Sequence, residues 1–124
     1  MAVSHALKTA ANHVRPDGST YHVVNYNPST GEVQGKSTAQ GYSDESTWAR
    51  GQTWAIYGFT MTYRYTRDVR FLNTARATAD YFIANLPSDS VPPWDFDVPG
   101  MPDDLSPEDR IPLRPRSLPR DCWS

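Results

Sequence analysis

The chain of 124 residues has one cysteine, Cys122. That excludes an internal disulfide and a zinc site built from several thiolates, and it leaves the redox compartment open. No apolar run approaches the ~20 residues needed to span a bilayer. The opening MAVSHALKTAANHV lacks a basic stretch followed by an apolar one, so no signal peptide is expected on this chain. An excess of positive charge is also missing. Twelve Lys and Arg against fourteen Asp and Glu give a formal charge of −2, with a pI near 5.8. No basic face for nucleic acid or an anionic membrane follows from that balance. No metal and no cofactor is expected. Proline is scarce in the first part of the chain and concentrated in the last, with nine of eleven in residues 87–124. A stretch so poor in backbone donors forms little regular structure.

The remainder is patterned. Val3, Ala6, Leu7, Ala10, Ala11 and Val14 recur at helical spacing, and Pro16-Asp17-Gly18 ends that helix. From Thr20 to Tyr26 the residues are β-branched and aromatic. Asn27 to Gly31 then reads as a turn that returns the chain towards Thr38, which predicts a β-hairpin over about 20–38. Two helices are expected next, over 46–66 with Ser43 or Asp44 as N-cap, and over 68–86 with Asp68 as N-cap. In the second helix Phe71, Ala75, Ala79, Phe82 and Leu86 form one stripe. The short link between the helices makes them an antiparallel αα-hairpin. Beyond residue 87 the chain reads as irregular, with one island at Trp94 to Asp97. So few elements cannot cover so many aromatics, which predicts a piece of a larger, mainly α protein.

The stretch from Tyr42 to Tyr65 carries an unusual load of aromatic and polar side chains. Trp48, Arg50, Gln52, Trp54 and Tyr57 fall within about three turns of helix. Indole faces suit the C–H face of a sugar ring, and a guanidinium grips a carboxylate through two hydrogen bonds. Together they read as one wall of a site for an acidic carbohydrate. Aromatics at this spacing are also what a plain helical core shows, and Arg50 has Asp44 and Glu45 nearby as structural partners.

Three blocks, DGSTYHVVNYNPSTGEV at 17–33, QGYSDESTWARGQTWAIYG at 40–58 and WDFDVPG at 94–100, resemble the unsaturated glucuronyl hydrolases, glycoside hydrolase family 88. The resemblance covers about residues 4–105, in the family's order and spacing. It implies part of an (α/α)6 barrel with a β-hairpin insertion, in an enzyme that removes the 4,5-unsaturated uronic acid from the non-reducing end of lyase-generated oligosaccharides. In that family an acidic residue protonates the C4=C5 double bond and helps deliver water to C5, and the hydrated hemiketal then opens. This differs from the two-carboxylate displacement of most glycosidases. Position by position, His22 matches the family's hairpin histidine, with a supporting role in proton traffic or in holding the reacting region. Gln40 matches a pocket glutamine. Trp48, Arg50 and Trp54 match pocket residues of the following helix, with Arg50 and Gln40 orienting the ring and the indoles stacking. His5 and His13 match nothing and read as structural.

The resemblance also implies what is missing. The family's two central aspartates, the proposed acid/base among them, lie upstream of the matched blocks, and Asp17, Asp44, Asp95 and Asp97 do not align with them. Asp17 belongs to a turn, Asp44 to a helix start, and Asp95 and Asp97 to a structural loop. Residues 106–124 read as a separate, disordered tail. Back-translating Arg110 to Ser124 with permitted codons gives, in another frame, Asp-Ser-Ser-Ala-Ala-Ala-Ile-Ala-Ala-Ser-Gly-Leu-Leu-Glu. That resembles the family's next helix, so a frame change near 108–110 is expected. The chain by itself is therefore expected to be inactive. Alternatives are a non-catalytic carbohydrate-binding remnant and a relative of the unsaturated rhamnogalacturonyl hydrolases.

Overall fold

The computed structural model describes residues 1–99, so the expected tail at 106–124 lies outside the described residues. The order of elements is α1 (Ala2–His13), β1 (Val23–Tyr26), β2 (Val33–Ser37), α2 (Ala49–Thr66) and α3 (Val69–Ala84). The described part is mainly helical, with one two-stranded antiparallel sheet. Its pairing runs from Val23 with Ser37 to Tyr26 with Val33, and the register shifts between Asn25 and Tyr26. Asn27 makes the turn. Its Oδ1 accepts from the N–H groups of Ser29 and Thr30 at 2.8 and 3.2 Å.

Between α2 and α3 the chain reverses over two residues. Arg67 adopts the left-handed conformation (φ 58°) and its N–H closes on the Tyr63 carbonyl. Asp68 then caps α3 by accepting from Arg70 N–H at 3.0 Å, as its local sequence predicts. The start of α2 differs from expectation. Neither Ser43 nor Asp44 caps it. Helix α2 begins at Ala49 after Trp48, whose side chain makes no cap. Asp44 Oδ1 instead accepts from Thr38 N–H at 2.9 Å. The loop at 94–97 does the capping from a distance in sequence. Ala49 N–H donates to the Trp94 carbonyl at 3.0 Å, and Thr47 N–H to Asp97 Oδ2 at 2.7 Å. Helix α3 likewise stops at Ala84, short of the expected 86, so Leu86 lies past its end.

Phe59, Phe71 and Ala75 form the apolar core, with Ala6, Leu7, Ala10, Val14, Ala55 and Tyr63 packed around them. Ala79 and Phe82 of the expected stripe are only half-buried. Beside this core lies a polar one. Gln52 is fully buried. Its Oε1 accepts from Thr20 Oγ1 at 2.9 Å, and its Nε2 donates to the carbonyls of Gly18 at 2.8 Å and Thr78 at 2.9 Å. Gly18 has φ 89°, and a Cβ there would run into the carbonyl of Ala77. Only glycine lets this turn lie directly on α3.

Replacing Gln52 by leucine keeps the volume and strands two buried polar partners, Thr20 Oγ1 and the Gly18 carbonyl, each costing about 1–3 kcal/mol, while the Thr78 carbonyl keeps its bond within α3. Gln52→Leu is expected to lower stability by at least about 2 kcal/mol in denaturant unfolding. A loss below about 1 kcal/mol would show that water replaces the amide.

Candidate functional site

Helix α1, the segment leading into β1 and α2 line an open concavity of about 450 Å³. Its α2 wall follows helical spacing, with Gly51, Trp54, Ala55, Gly58 and Thr62 along one face and Trp48 at the start. His5, Thr9 and His13 come from α1, and Tyr21 and His22 from the segment leading into β1.

Of the five residues singled out in the sequence, His22, Trp48 and Trp54 line this concavity, and Gln40 and Arg50 do not. His22 stacks on Trp48 with ring centroids 4.3 Å apart and planes 28° from parallel. Its Nδ1 lies 3.0 Å from Thr38 Oγ1 and accepts from the N–H groups of Ala39 and Gln40 at 3.2 and 3.4 Å. Gln40 thus meets the site through its backbone. Arg50 lines a smaller recess of about 240 Å³ with Ala49, Thr53, Trp54 and Pro92. Its guanidinium stands 5.8 Å from the Trp48 ring. Trp54, 62% exposed, borders both spaces. Tyr57 packs edge-on against it.

One reading is corrected by the geometry, and two further features come to light. Gln52 is no part of a ligand wall, because its amide is used up in the polar core. His5 and His13, expected to be structural, both line the concavity. Arg15, which periodicity gave no reason to single out, organises the rim. Its guanidinium donates to Ser19 Oγ, the Thr20 carbonyl and Thr47 Oγ1, and also to the carbonyls of Glu45 and Ser46. It therefore ties the turn before β1 to the approach to α2.

The four aspartates discussed above hold backbone. Asp17 Oδ1 accepts from Ser19 N–H and Oγ. Asp44 and Asp97 hold Thr38 and Thr47 N–H groups. Asp95, fully buried, accepts from Tyr42 N–H at 2.8 Å and Ser46 Oγ at 2.7 Å. Its other oxygen accepts from Asp97 N–H. Among the described residues no cluster of His, Cys, Asp and Glu fits a metal ion, and no helix is long and apolar enough to cross a membrane.

No family model matches the chain. An unsaturated glucuronyl hydrolase of Formosa agariphila is 50% identical over 105 residues, which make up 83% of this chain and 26% of that protein. The chain is homologous to the unsaturated glucuronyl hydrolases. It spans about a quarter of the length of the curated relatives it matches. The crystal structure of an unsaturated glucuronyl hydrolase specific for heparin superposes with a TM-score of 0.78 at 43% identity, covering 85% of this chain and 28% of that one. A mutant unsaturated glucuronyl hydrolase of Streptococcus agalactiae, complexed with dGlcA-GalNAc6S, gives a TM-score of 0.64 at 43% identity, covering 81% of this chain and 27% of that one.

Burial of the imidazole pushes the His22 pKa below its ordinary value near 6.5, with buried Asp95 pulling the other way. His13 is also lowered, first by burial, against a hydrogen bond to the backbone of Tyr21, and further by His5 and Lys36. Below about pH 6.5 the unfolded chain takes up protons that the folded chain refuses. Stability is therefore full above that pH and is lost as pH falls through the folded values. The thermal midpoint is expected to drop on acidification from pH 6.5, before the carboxylates titrate, and to drop less in a His13→Gln, His22→Gln variant. An equally steep drop in that variant would place the effect elsewhere.

Proposed function

We propose that residues 1–105 belong to an (α/α)6-barrel domain of an unsaturated glucuronyl hydrolase, and that they contribute one wall of its sugar site. The substrate class is an oligosaccharide ending in a 4,5-unsaturated uronic acid, and the reaction is hydration of that double bond followed by release of the aglycone. The observation that carries this reading is the stacked His22–Trp48 pair beside the exposed Trp54 indole in one concavity. A flat, polar-edged apolar surface of that kind suits a sugar face. Arg50, set against Trp48 and Trp54 from the neighbouring recess, would reach an anionic substituent from the side. Exposed Tyr65, Val69 and Ile83 fit helices of the same barrel packing against α2 and α3.

This wall binds and orients; it does not deliver the proton to carbon. A general acid must stand about 2.6–3.2 Å from its target, directly or through one water. Asp17, Asp44, Asp95 and Asp97 are engaged with backbone N–H groups, and the family's central aspartates fall upstream of the matched blocks.

Loss of the ultraviolet absorbance of the double bond tests both parts. The purified 124-residue chain is expected to leave an unsaturated chondroitin disaccharide intact. The unsaturated chondroitin disaccharide hydrolase of Streptococcus agalactiae with this chain's matching segment grafted in is expected to turn it over, and Trp54→Ala in that graft to slow turnover by up to about 10-fold, the scale of a lost stacking contact. Turnover by the short chain would show that one of its own carboxylates does the chemistry. An indifferent Trp54→Ala graft would remove the wall from the mechanism.

A further inference from the structure

We propose that Thr38 is a positioning residue that locks His22 in the Nε2–H tautomer, so that His22 meets a sugar oxygen as a hydrogen-bond donor. The functional half of this statement rests on the sugar-site reading above; the tautomer itself does not.

One hydroxyl proton and the lone pairs around it decide the tautomer. Thr38 Oγ1 accepts from Gly41 N–H at 2.8 Å. Its own proton is then free to be donated, and His22 Nδ1 lies 3.0 Å away. Two more donors, the N–H groups of Ala39 and Gln40, face the same nitrogen at 3.2 and 3.4 Å. A proton on Nδ1 would confront the two backbone N–H groups and would force the threonine hydroxyl to turn from donor to acceptor. Nδ1 must therefore present its lone pair, and in a neutral imidazole the proton then sits on Nε2. Among the described residues Nε2 makes no hydrogen bond, while the ring lines the concavity. The stack on Trp48 fixes the plane of the ring, so both the identity and the direction of the donor are set before a ligand arrives.

The loop is shaped for this contact. A Cβ on Gly41 would stand 2.5 Å from Thr38 Oγ1 and 3.0 Å from Asp95 Oδ2, so glycine is what allows residue 41 to bring its N–H against the threonine hydroxyl. Asp95 holds the following residue, Tyr42, through its N–H. The 38–42 segment is thus fastened at both ends, by Thr38 N–H on Asp44 and by Tyr42 N–H on Asp95. Of the two roles open to His22 in the sequence, the geometry favours holding a substrate oxygen over accepting a proton, because the nitrogen facing the loop is already filled and the free one carries hydrogen.

Long-range proton–nitrogen NMR on the chain with nitrogen-15 histidine, recorded above the histidine titration range and without sugar, tests the tautomer. His22 is expected to show an unprotonated Nδ1 and a protonated Nε2. Thr38→Val is expected to raise the Nδ1–H population of His22 at least about five-fold, the scale of one hydrogen bond, leaving His5 and His13 unchanged as reporters of an intact fold. Thr38→Ser, which keeps the hydroxyl, is expected to match the parent. A parent chain with Nδ1 protonated, or with both tautomers equally populated, overturns the proposal. So does a folded Thr38→Val chain whose His22 ratio is unmoved. Should Thr38→Val fail to fold, the parent spectrum and Thr38→Ser decide it alone. Because no sugar is present, a wrong tautomer and a wrong substrate class fail separately.

Discussion

The carboxamide of Gln52 joins three parts of the chain that sequence keeps apart. From the first turn of α2 it reaches the Gly18 carbonyl, the Thr20 hydroxyl and the Thr78 carbonyl of α3. In a low-dielectric interior each of these bonds is strengthened, and each partner left alone is costly. The turn at 16–20 is thereby held against α2 and α3, and with it the start of the strand that carries Tyr21 and His22. The apolar core of Phe59, Phe71 and Ala75 lies further along the helices and cannot set that register.

Around this tie the polar framework continues outward to the site. Arg15 grips both the turn and residues 45–47, with its guanidinium 4.0 Å from the Tyr21 ring. Asp95 and Asp97 organise the approach to α2, so that Trp48 enters the helix in a fixed pose. A concavity with a rigid floor follows from these contacts, and rigid support is what a stacking surface needs to bind without a further ordering cost. Gly51 and Gly58 keep the α2 face low between the aromatics.

The helices and the hairpin were legible because their signals are local: periodicity of three and four, alternation, Asn27 and Gly31 in the turn, Asp68 at its cap. The α2 boundary was not, since its capping groups come from Trp94 and Asp97, some fifty residues on. Gln52 read as ligand-facing because a polar residue among aromatics on a helix looks the same in sequence whether its partners are a sugar or the carbonyls of Gly18 and Thr78. The resemblance picked out His22, Trp48 and Trp54, which share the concavity, and also Gln40 and Arg50, of which the first meets it only through a backbone N–H on His22 and the second lines the neighbouring recess. Thr38 had no signal beyond its place at the end of a strand, and His5 and His13 enter the lining only because α1 packs across the hairpin.

A titration of the labelled chain with an unsaturated chondroitin disaccharide at millimolar concentration, followed by NMR, tests most directly whether this polar framework builds a sugar wall. Shifts concentrated on His22 and the Trp48 and Trp54 indoles, with Phe71 and Ala75 in the core unmoved, are predicted. Shifts concentrated instead around Lys36, Asn73 and Ala77, which line the separate cleft on the α3 side, would contradict it.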